Sequence, residues 1–242
     1  MKKIILAGFG YLGKFIEQQA DFNEKKVLYK LSRNPDKHCN GFGNHIEVDF
    51  DKEKFDITKI VGESTIIYMA PPNKDRNGDP RLENFLNNTK KSNIEKIVYI
   101  STSGVYGDCD GSSVTENAEL KPLTNRAKKR VVAEKMIMEY SAVNNTNYVI
   151  LRVPGIYGLG RLPLSKIRER EPLVIKDECK ITNLINVEDL ARVVWRVIKD
   201  NIKNEIINVS DGTPITSTEY YLKIYDELEI EYPPFIKIKE AG

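Results

Sequence analysis

The sequence predicts an α/β protein of the Rossmann type, a doubly wound parallel sheet with a small C-terminal substrate-side region. Three observations lead there. Short apolar runs alternate with longer segments of helical period, the pattern of a parallel sheet flanked by crossover helices. A glycine-rich turn, Gly8-Phe9-Gly10-Tyr11-Leu12-Gly13, follows the first apolar run directly and opens the first helical segment. After Arg152 the texture changes, with Pro154, Gly155, Gly158, Gly160, Pro163 and Pro172 punctuating a loop-rich stretch. The expected division is a core over 1–152 and a substrate-side region over 153–242, some of whose elements return to the core.

The elements follow in order. Apolar runs predict strands at Lys3 to Ala7, Lys26 to Leu31, His45 to Val48, Thr65 to Ala70, Lys96 to Ser101 and Tyr148 to Arg152. Helices are expected to begin near Tyr11, Phe55, Pro80 and Leu123. The last of these runs to about Val143 and places Val131, Val132, Met136 and Ile137 at core spacing. A crossover helix between successive strands makes the right-handed doubly wound arrangement the default. Beyond the loop-rich stretch come a helix at Val187 to Lys199, a short strand at Ile206 to Val209, a turn at Asp211-Gly212 and a helix from about Ser217 to Leu228.

Composition narrows the function classes. The chain has 242 residues, 37 Lys plus Arg against 35 Asp plus Glu, and 40% apolar residues, a globular balance with a formal net charge of +2. Charge this evenly matched disfavours nucleic acid or an anionic membrane as the main partner. Met1-Lys2-Lys3-Ile4-Ile5-Leu6-Ala7 starts like a leader, but its apolar run breaks at Gly8 and Gly10, so it is taken as a buried strand; no stretch is long enough to span a bilayer. The three cysteines, Cys39, Cys109 and Cys179, are far apart and lack CxxC pairing, which argues against a disulfide framework and for a cytoplasmic protein. His38 and His45 have no carboxylate or thiol cluster at ligand spacing, so no metal site is expected.

The glycine turn carries the first functional expectation. Its first glycine, Gly8, permits the tight turn, Gly10 lets backbone N–H groups approach a pyrophosphate, and Gly13 allows close helix-to-strand packing. Tyr11 and Leu12 open the helix whose N-terminus offers partial positive charge to an anion. Residues 1–152 are therefore expected to form a dinucleotide-binding core. NAD selectivity calls for a carboxylate at the end of the second strand, and the segment there is Lys30-Leu31-Ser32-Arg33-Asn34. Ser32 and Arg33 suit a 2′-phosphate instead, so NADP(H) is expected over NAD(H). Asp49 is a candidate partner for the adenine amine, and Ala70, Pro71, Pro154 and Ile156 are expected to line the cofactor site.

Further along, Ile100-Ser101-Thr102-Ser103-Gly104-Val105-Tyr106-Gly107, Leu151-Arg152-Val153-Pro154-Gly155-Ile156-Tyr157-Gly158, Asn183 to Ala191 and Ile207-Asn208-Val209-Ser210 follow one another in order. With the glycine turn, they make the chain similar to an atypical member of the extended short-chain dehydrogenase/reductase family, the NAD-dependent epimerase/dehydratase group. The resemblance implies an oxidoreductase or epimerase with its cofactor on the N-terminal core and a small substrate, often a nucleotide-linked sugar, under the C-terminal region. Homodimers are common in that family, so the resemblance also implies a homodimer. The C-terminal region is short for that group, so a reduced or differently shaped substrate pocket is expected.

The resemblance also implies a Tyr and a Lys one helical turn apart on the helix after the Ser101-Thr102 segment. Counting back from Glu134, those positions hold Arg126 and Arg130. A guanidinium stays protonated and cannot shuttle a proton as a phenol does. Thr102 matches the family's Ser/Thr that bonds the reacting oxygen, and Tyr106 is the nearest phenol that can serve as an acid. Ser103, Arg126, Arg130 and Tyr157 are the candidate substrate-binding residues, the two arginines as an anion site or, equally, as a solvated helix face with Lys128 and Lys129. Two functions stay open: an NADP(H)-dependent oxidoreductase or epimerase-like enzyme, and a catalytically silent NADP(H) sensor.

Overall fold

The structure is a computed structural model that describes residues 2–34, 44–55, 57, 62–74, 78–90 and 92–241. In chain order it comprises β1 (Lys3–Ala7), α1 (Tyr11–Gln19), α2 (Phe22–Lys26), β2 (Leu28–Ser32), β3 (Asn44–Glu47), β4 (Ser64–Tyr68), α3 (Pro80–Thr89), β5 (Ile94–Ile100), α4 (Asn125–Asn144), β6 (Asn147–Arg152), β7 (Gly155–Tyr157), α5 (Leu164–Arg168), β8 (Leu173–Val174), β9 (Ile181–Thr182), β10 (Leu184–Asn186), α6 (Val187–Lys199), β11 (Glu205–Asn208), β12 (Ile215–Thr216), α7 (Ser217–Glu227) and β13 (Phe235–Ile236).

Seven strands form one parallel sheet in the order β11-β6-β5-β4-β1-β2-β3. The chain winds outward from β1 through β2 and β3, then returns to β4 on the other side of β1. That reversal makes the carboxyl ends of β1 and β4 a topological switch point, where open sheets of this kind hold their ligands.

Alternation along each strand supplies a core on both faces. Ile4 and Leu6 of β1 join Ile16 of α1 and Leu190, Val194 and Trp195 of α6 on one side. There Trp195 donates its indole N–H to the Ile16 carbonyl at 2.9 Å. Ile5 and Ala7 face the other side, with Leu82 and Phe85 of α3 and Ile137 of α4. Each Ile, Leu, Val or Phe among them contributes about 1.5–3 kcal/mol on leaving water, which is why strands buried on both faces are apolar nearly throughout. β11 and α6, from the C-terminal third, thus pack within the core, while β7–β10, β9–β12 and β8–β13 are two-stranded pairings outside it.

Some details differ from expectation. α2 occupies the place given to the start of the second strand, because Asp21 and Glu24 form a capping box that starts a helix at Phe22. α4 begins two residues after Leu123, where the Thr124 hydroxyl accepts from the Ala127 N–H at 3.1 Å. Its buried stripe runs through Ala127, Arg130, Ala133, Glu134, Ile137, Tyr140 and Ser141, and Val132 is 43% exposed. The core spacing expected from Val132 is therefore corrected: the inward face carries two charged residues whose partners lie on the sheet. The helix expected near Phe55 falls largely outside the described residues, as do His38 and Cys39; Phe55 itself packs against Phe50 and Phe85. Among the described residues, no helix is long and apolar enough to cross a membrane.

Candidate functional site

The glycine turn sits at the switch point. Gly8 has φ +81°, and a Cβ there would lie 2.6 Å from the Ala70 nitrogen, so β1 and the end of β4 meet through a residue that must lack a side chain. A Cβ on Gly13 would strike the Phe9 ring at 2.7 Å. Gly10 is different. The nearest atom to a Cβ there is the Gly8 carbonyl oxygen at 3.8 Å, so its face opens on the cleft and a side chain would fill ligand space. α1 has no side-chain cap, which leaves its first N–H groups available to an anion. These features fit a dinucleotide pyrophosphate.

Two cavities flank the turn. One, of about 220 Å³, is lined by Gly8, Gly10, Ser32, Arg33, Asp49, Ala70, Pro71 and Arg81, so every residue expected on the adenosine side is gathered there. The Ser32 hydroxyl bonds His45 Nε2 at 2.8 Å. Asp49 accepts from the Asp51 N–H at 3.1 Å, a local turn contact. Asp51, which no local sequence pattern marks, is the charged centre of this side. Arg81 grips it with Nε at 2.8 Å and Nη2 at 2.6 Å, Asn73 donates to it at 2.8 Å, and Arg33 stands 3.7 Å away. Hydrogen bonds from Arg81 chiefly hold the Asp51 carboxyl down at about 2. The Arg33 side chain stays 61% exposed.

The second cavity, of about 330 Å³, is lined by Gly8, Gly10, Tyr11, Leu12, Gly13, Pro71, Thr102, Arg126, Arg130, Pro154, Ile156 and Arg161, together with Met69 and Ser101. It brings the glycine turn to the segment after β5 and to the first turns of α4. Arg126, Arg130 and Arg161 line it, and among the described residues no carboxylate does. Arg130 is buried; its Nη1 donates to the Tyr99 hydroxyl at 2.8 Å, and burial pushes that phenol up to about 12. Arg130 is therefore not part of a solvated face. Arg126, one turn earlier, is exposed at the rim. Lys129 donates to the Asn73 and Lys74 carbonyls. Thr102 caps the 3-10 turn Ser103–Tyr106, its hydroxyl accepting from Gly104 N–H at 3.2 Å.

A third cavity, of about 400 Å³, shares Pro154 with the second and is lined by Ser103, Tyr106, Cys109, Arg152, Lys180, Asn208 and Ser210 among others. Beneath it lies a buried polar network. Glu134 receives Arg152 Nη2 at 2.8 Å and Nε at 3.3 Å, and the Ser101 hydroxyl at 2.5 Å. Arg152 also donates to the Tyr106 hydroxyl at 2.8 Å, and Tyr106 donates onward to Asn208 Oδ1 at 2.6 Å. The Tyr106 proton is thus already placed on Asn208 and its oxygen already accepts from Arg152. That geometry makes Tyr106 a strut, against the expectation of an acid. Tyr157 lies elsewhere, in a more apolar cavity of about 380 Å³ with Leu162, Leu164, Leu184, Tyr220 and Ile224. The four residues expected to hold substrate are therefore distributed over three cavities.

Fold, switch-point glycine turn and cationic cleft define a Rossmann protein of the dinucleotide-binding class. More narrowly, the chain belongs to the NAD dependent epimerase/dehydratase family, whose sequence pattern matches residues 4–210. It is 24% identical over 251 residues to a Methanocaldococcus jannaschii protein provisionally named UDP-glucose 4-epimerase, covering 93% of this chain and 82% of that one. It is 21% identical over 235 residues to GDP-6-deoxy-D-talose 4-dehydrogenase of Aggregatibacter actinomycetemcomitans, covering 88% and 75%. Its fold is similar to that of Bacillus cereus UDP-glucuronic acid 4-epimerase in complex with NAD, with a TM-score of 0.80 at 20% identity over 98% of this chain and 88% of that one.

Proposed function

We propose that the protein is an NADP(H)-dependent oxidoreductase or epimerase-like enzyme acting on a small polar or nucleotide-sugar carbonyl or alcohol, without the tyrosine and lysine usual in its family. The observation that carries this reading is the single cleft lined by the glycine turn, Thr102, Arg126 and Arg130. When bound, a nicotinamide supplies reversible hydride acceptance. The chain's own residues then divide the remaining work. Thr102 holds the reacting oxygen, and Arg126 and Arg130 attract a phosphate or carboxylate on the substrate and stabilise charge that develops on that oxygen. Neither arginine moves a proton, and the Tyr106 proton is committed to Asn208, so the proton is exchanged with water at the rim where Arg126 is exposed. The names of the relatives support a nucleotide-linked sugar as the substrate class.

NADP(H) preference draws support from the adenosine-side cavity, which Arg33 lines with its side chain 61% exposed and where β2 ends on Ser32 rather than a carboxylate. A second reading, a dinucleotide sensor without turnover, is favoured by the absence of a proton-transferring side chain at positions 126 and 130. The deciding experiment incubates the protein and stereospecifically deuterated NADPH with a panel of nucleotide sugars and ketones, followed by mass spectrometry. Deuterium in a product supports the enzyme, whereas tight NADPH binding with no transfer to any compound favours the sensor.

A further inference from the structure

We propose that Arg161, on the loop following β7, is a clamp for the pyrophosphate of the bound dinucleotide, held over the glycine turn by Tyr11. The proposal rests on the dinucleotide reading above and adds a residue that neither the glycine motif nor the family's segments point to. Tyr11 is the first residue of α1, and its hydroxyl donates to the Leu159 carbonyl at 2.9 Å, 148 residues along the chain. This bond fastens the loop to the helix N-terminus. The loop comes this close because Gly158, at φ +138°, has no side chain: a Cβ there would lie 2.8 Å from Val187 and 3.3 Å from the Tyr11 hydroxyl. The Arg161 N–H closes the turn onto the Gly158 carbonyl at 2.9 Å, and its guanidinium stacks 4.0 Å from the centre of the Tyr11 ring.

Arg161, with its guanidinium so placed on the Tyr11 ring, lines the cleft that Tyr11, Gly8, Gly10 and Gly13 also line. Among the described residues no carboxylate lines that cleft, and the Arg161 charge rests on an aromatic face with its donors available. A diphosphate lying on the uncapped N-terminus of α1 is the anion that this cation faces, and a planar fork suits two phosphate oxygens. The same loop carries Leu162, and leads into Leu164 at the start of α5, both of which line the apolar cavity beside Tyr157, so an Arg161 fixed on a pyrophosphate also fixes one wall of that cavity.

The test is calorimetric titration of the full chain with NADPH and with NADH, at about 50 and 300 mM salt, using wild type, Arg161→Met, Arg161→Lys and Tyr11→Phe, with melting temperature as a check on folding. Arg161→Met is expected to raise the Kd for both dinucleotides by the same factor, about tenfold at low salt, and to flatten the salt dependence. Arg161→Lys recovers part of the loss. Tyr11→Phe, which unties the loop and keeps the ring, costs about two- to threefold, and the double variant Tyr11→Phe/Arg161→Met is no weaker than Arg161→Met alone. Unchanged Kd values in a folded Arg161→Met protein overturn the clamp while leaving the dinucleotide reading intact. A loss confined to NADPH also overturns it, by placing Arg161 at the 2′-phosphate. Failure of the wild type to bind either dinucleotide overturns the reading on which the clamp rests.

Discussion

Replacing Glu134 by Gln tests whether the buried network under the third cavity is what ties α4 to the sheet. The Glu134 and Arg152 side chains are 2% and 3% exposed, and Glu134 accepts three hydrogen bonds, two from Arg152 and one from Ser101. The substitution keeps shape and volume but removes the charge that balances a buried guanidinium and turns one acceptor into a donor. Removing one partner of such a pair costs about 3–5 kcal/mol, most of it the penalty of leaving the other charge unbalanced. An amide that still accepts one bond puts Glu134→Gln near the lower end. For a chain of this length, each kcal/mol lowers the melting temperature by about 2–4 °C, so a fall of about 6–12 °C is expected. Calorimetry and urea denaturation measure it. The control is Lys121→Gln, which breaks the exposed pair with Glu119 and is expected to stay within about 0.5 kcal/mol. If Glu134→Gln costs less than about 1 kcal/mol, or if the paired replacement Glu134→Leu/Arg152→Met is no better than Glu134→Gln alone, the network does not tie α4 to the sheet.

Three further outcomes follow from the cleft. Arg33→Ala is expected to raise the Kd for NADPH about tenfold and leave that for NADH nearly unchanged, as measured by fluorescence titration; equal losses for both would refute 2′-phosphate recognition. Asp51 ionises at about 2 in the folded protein against an ordinary value of 3.8, so its pairing with Arg81 stabilises the fold above that ordinary value and is lost as pH falls from about 4 toward 2. The stability difference between wild type and Asp51→Asn, followed by urea denaturation, should shrink across that window; a constant difference would place the effect elsewhere. Gly8→Ala should destabilise the protein, because of the positive φ and the 2.6 Å approach to Ala70, whereas Gly10→Ala should fold normally and lose dinucleotide binding by more than about tenfold. A Gly10→Ala protein that binds as wild type does would move the ligand off the turn.

The strands were legible because apolar runs such as Ile97 to Ile100 and Val149 to Leu151 have one plausible use, a sheet buried on both faces. The glycine turn was legible because its steric demands are local. α2 was legible in principle, since Asp21 and Glu24 are the ends of a capping box, but five residues are too few for a helical period to register. What local pattern does not carry is the identity of long-range polar partners. Glu134 is buried because Arg152 meets it from β6, and Asp51 matters because Arg81 reaches it from α3, 30 residues away. Arg161 enters the cleft only because a loop from beyond β7 is fastened to Tyr11.

The two arginines of α4 bring out the same point in the site itself. In the sequence Arg126 and Arg130 are equivalent, one turn apart on a basic helix face, and a solvated coat accounts for both equally well. Folded, they are unlike. Arg130 is fixed by Tyr99, whose hydroxyl burial keeps neutral and able to accept, so its charge is held in place before any ligand arrives. Arg126 at the rim has to give up side-chain freedom to grip an anion, which makes it suited to capture and release. The two substitutions should therefore separate: Arg126→Ala weakens binding of an anionic substrate and leaves the melting temperature within about 1 °C, while Arg130→Met also orphans the buried Tyr99 hydroxyl and costs about 1–3 kcal/mol of stability. Measured side by side, equal effects of the two changes on stability would mean that Arg130 is as free as Arg126, and the fixed cation at the base of the cleft would have to be given up.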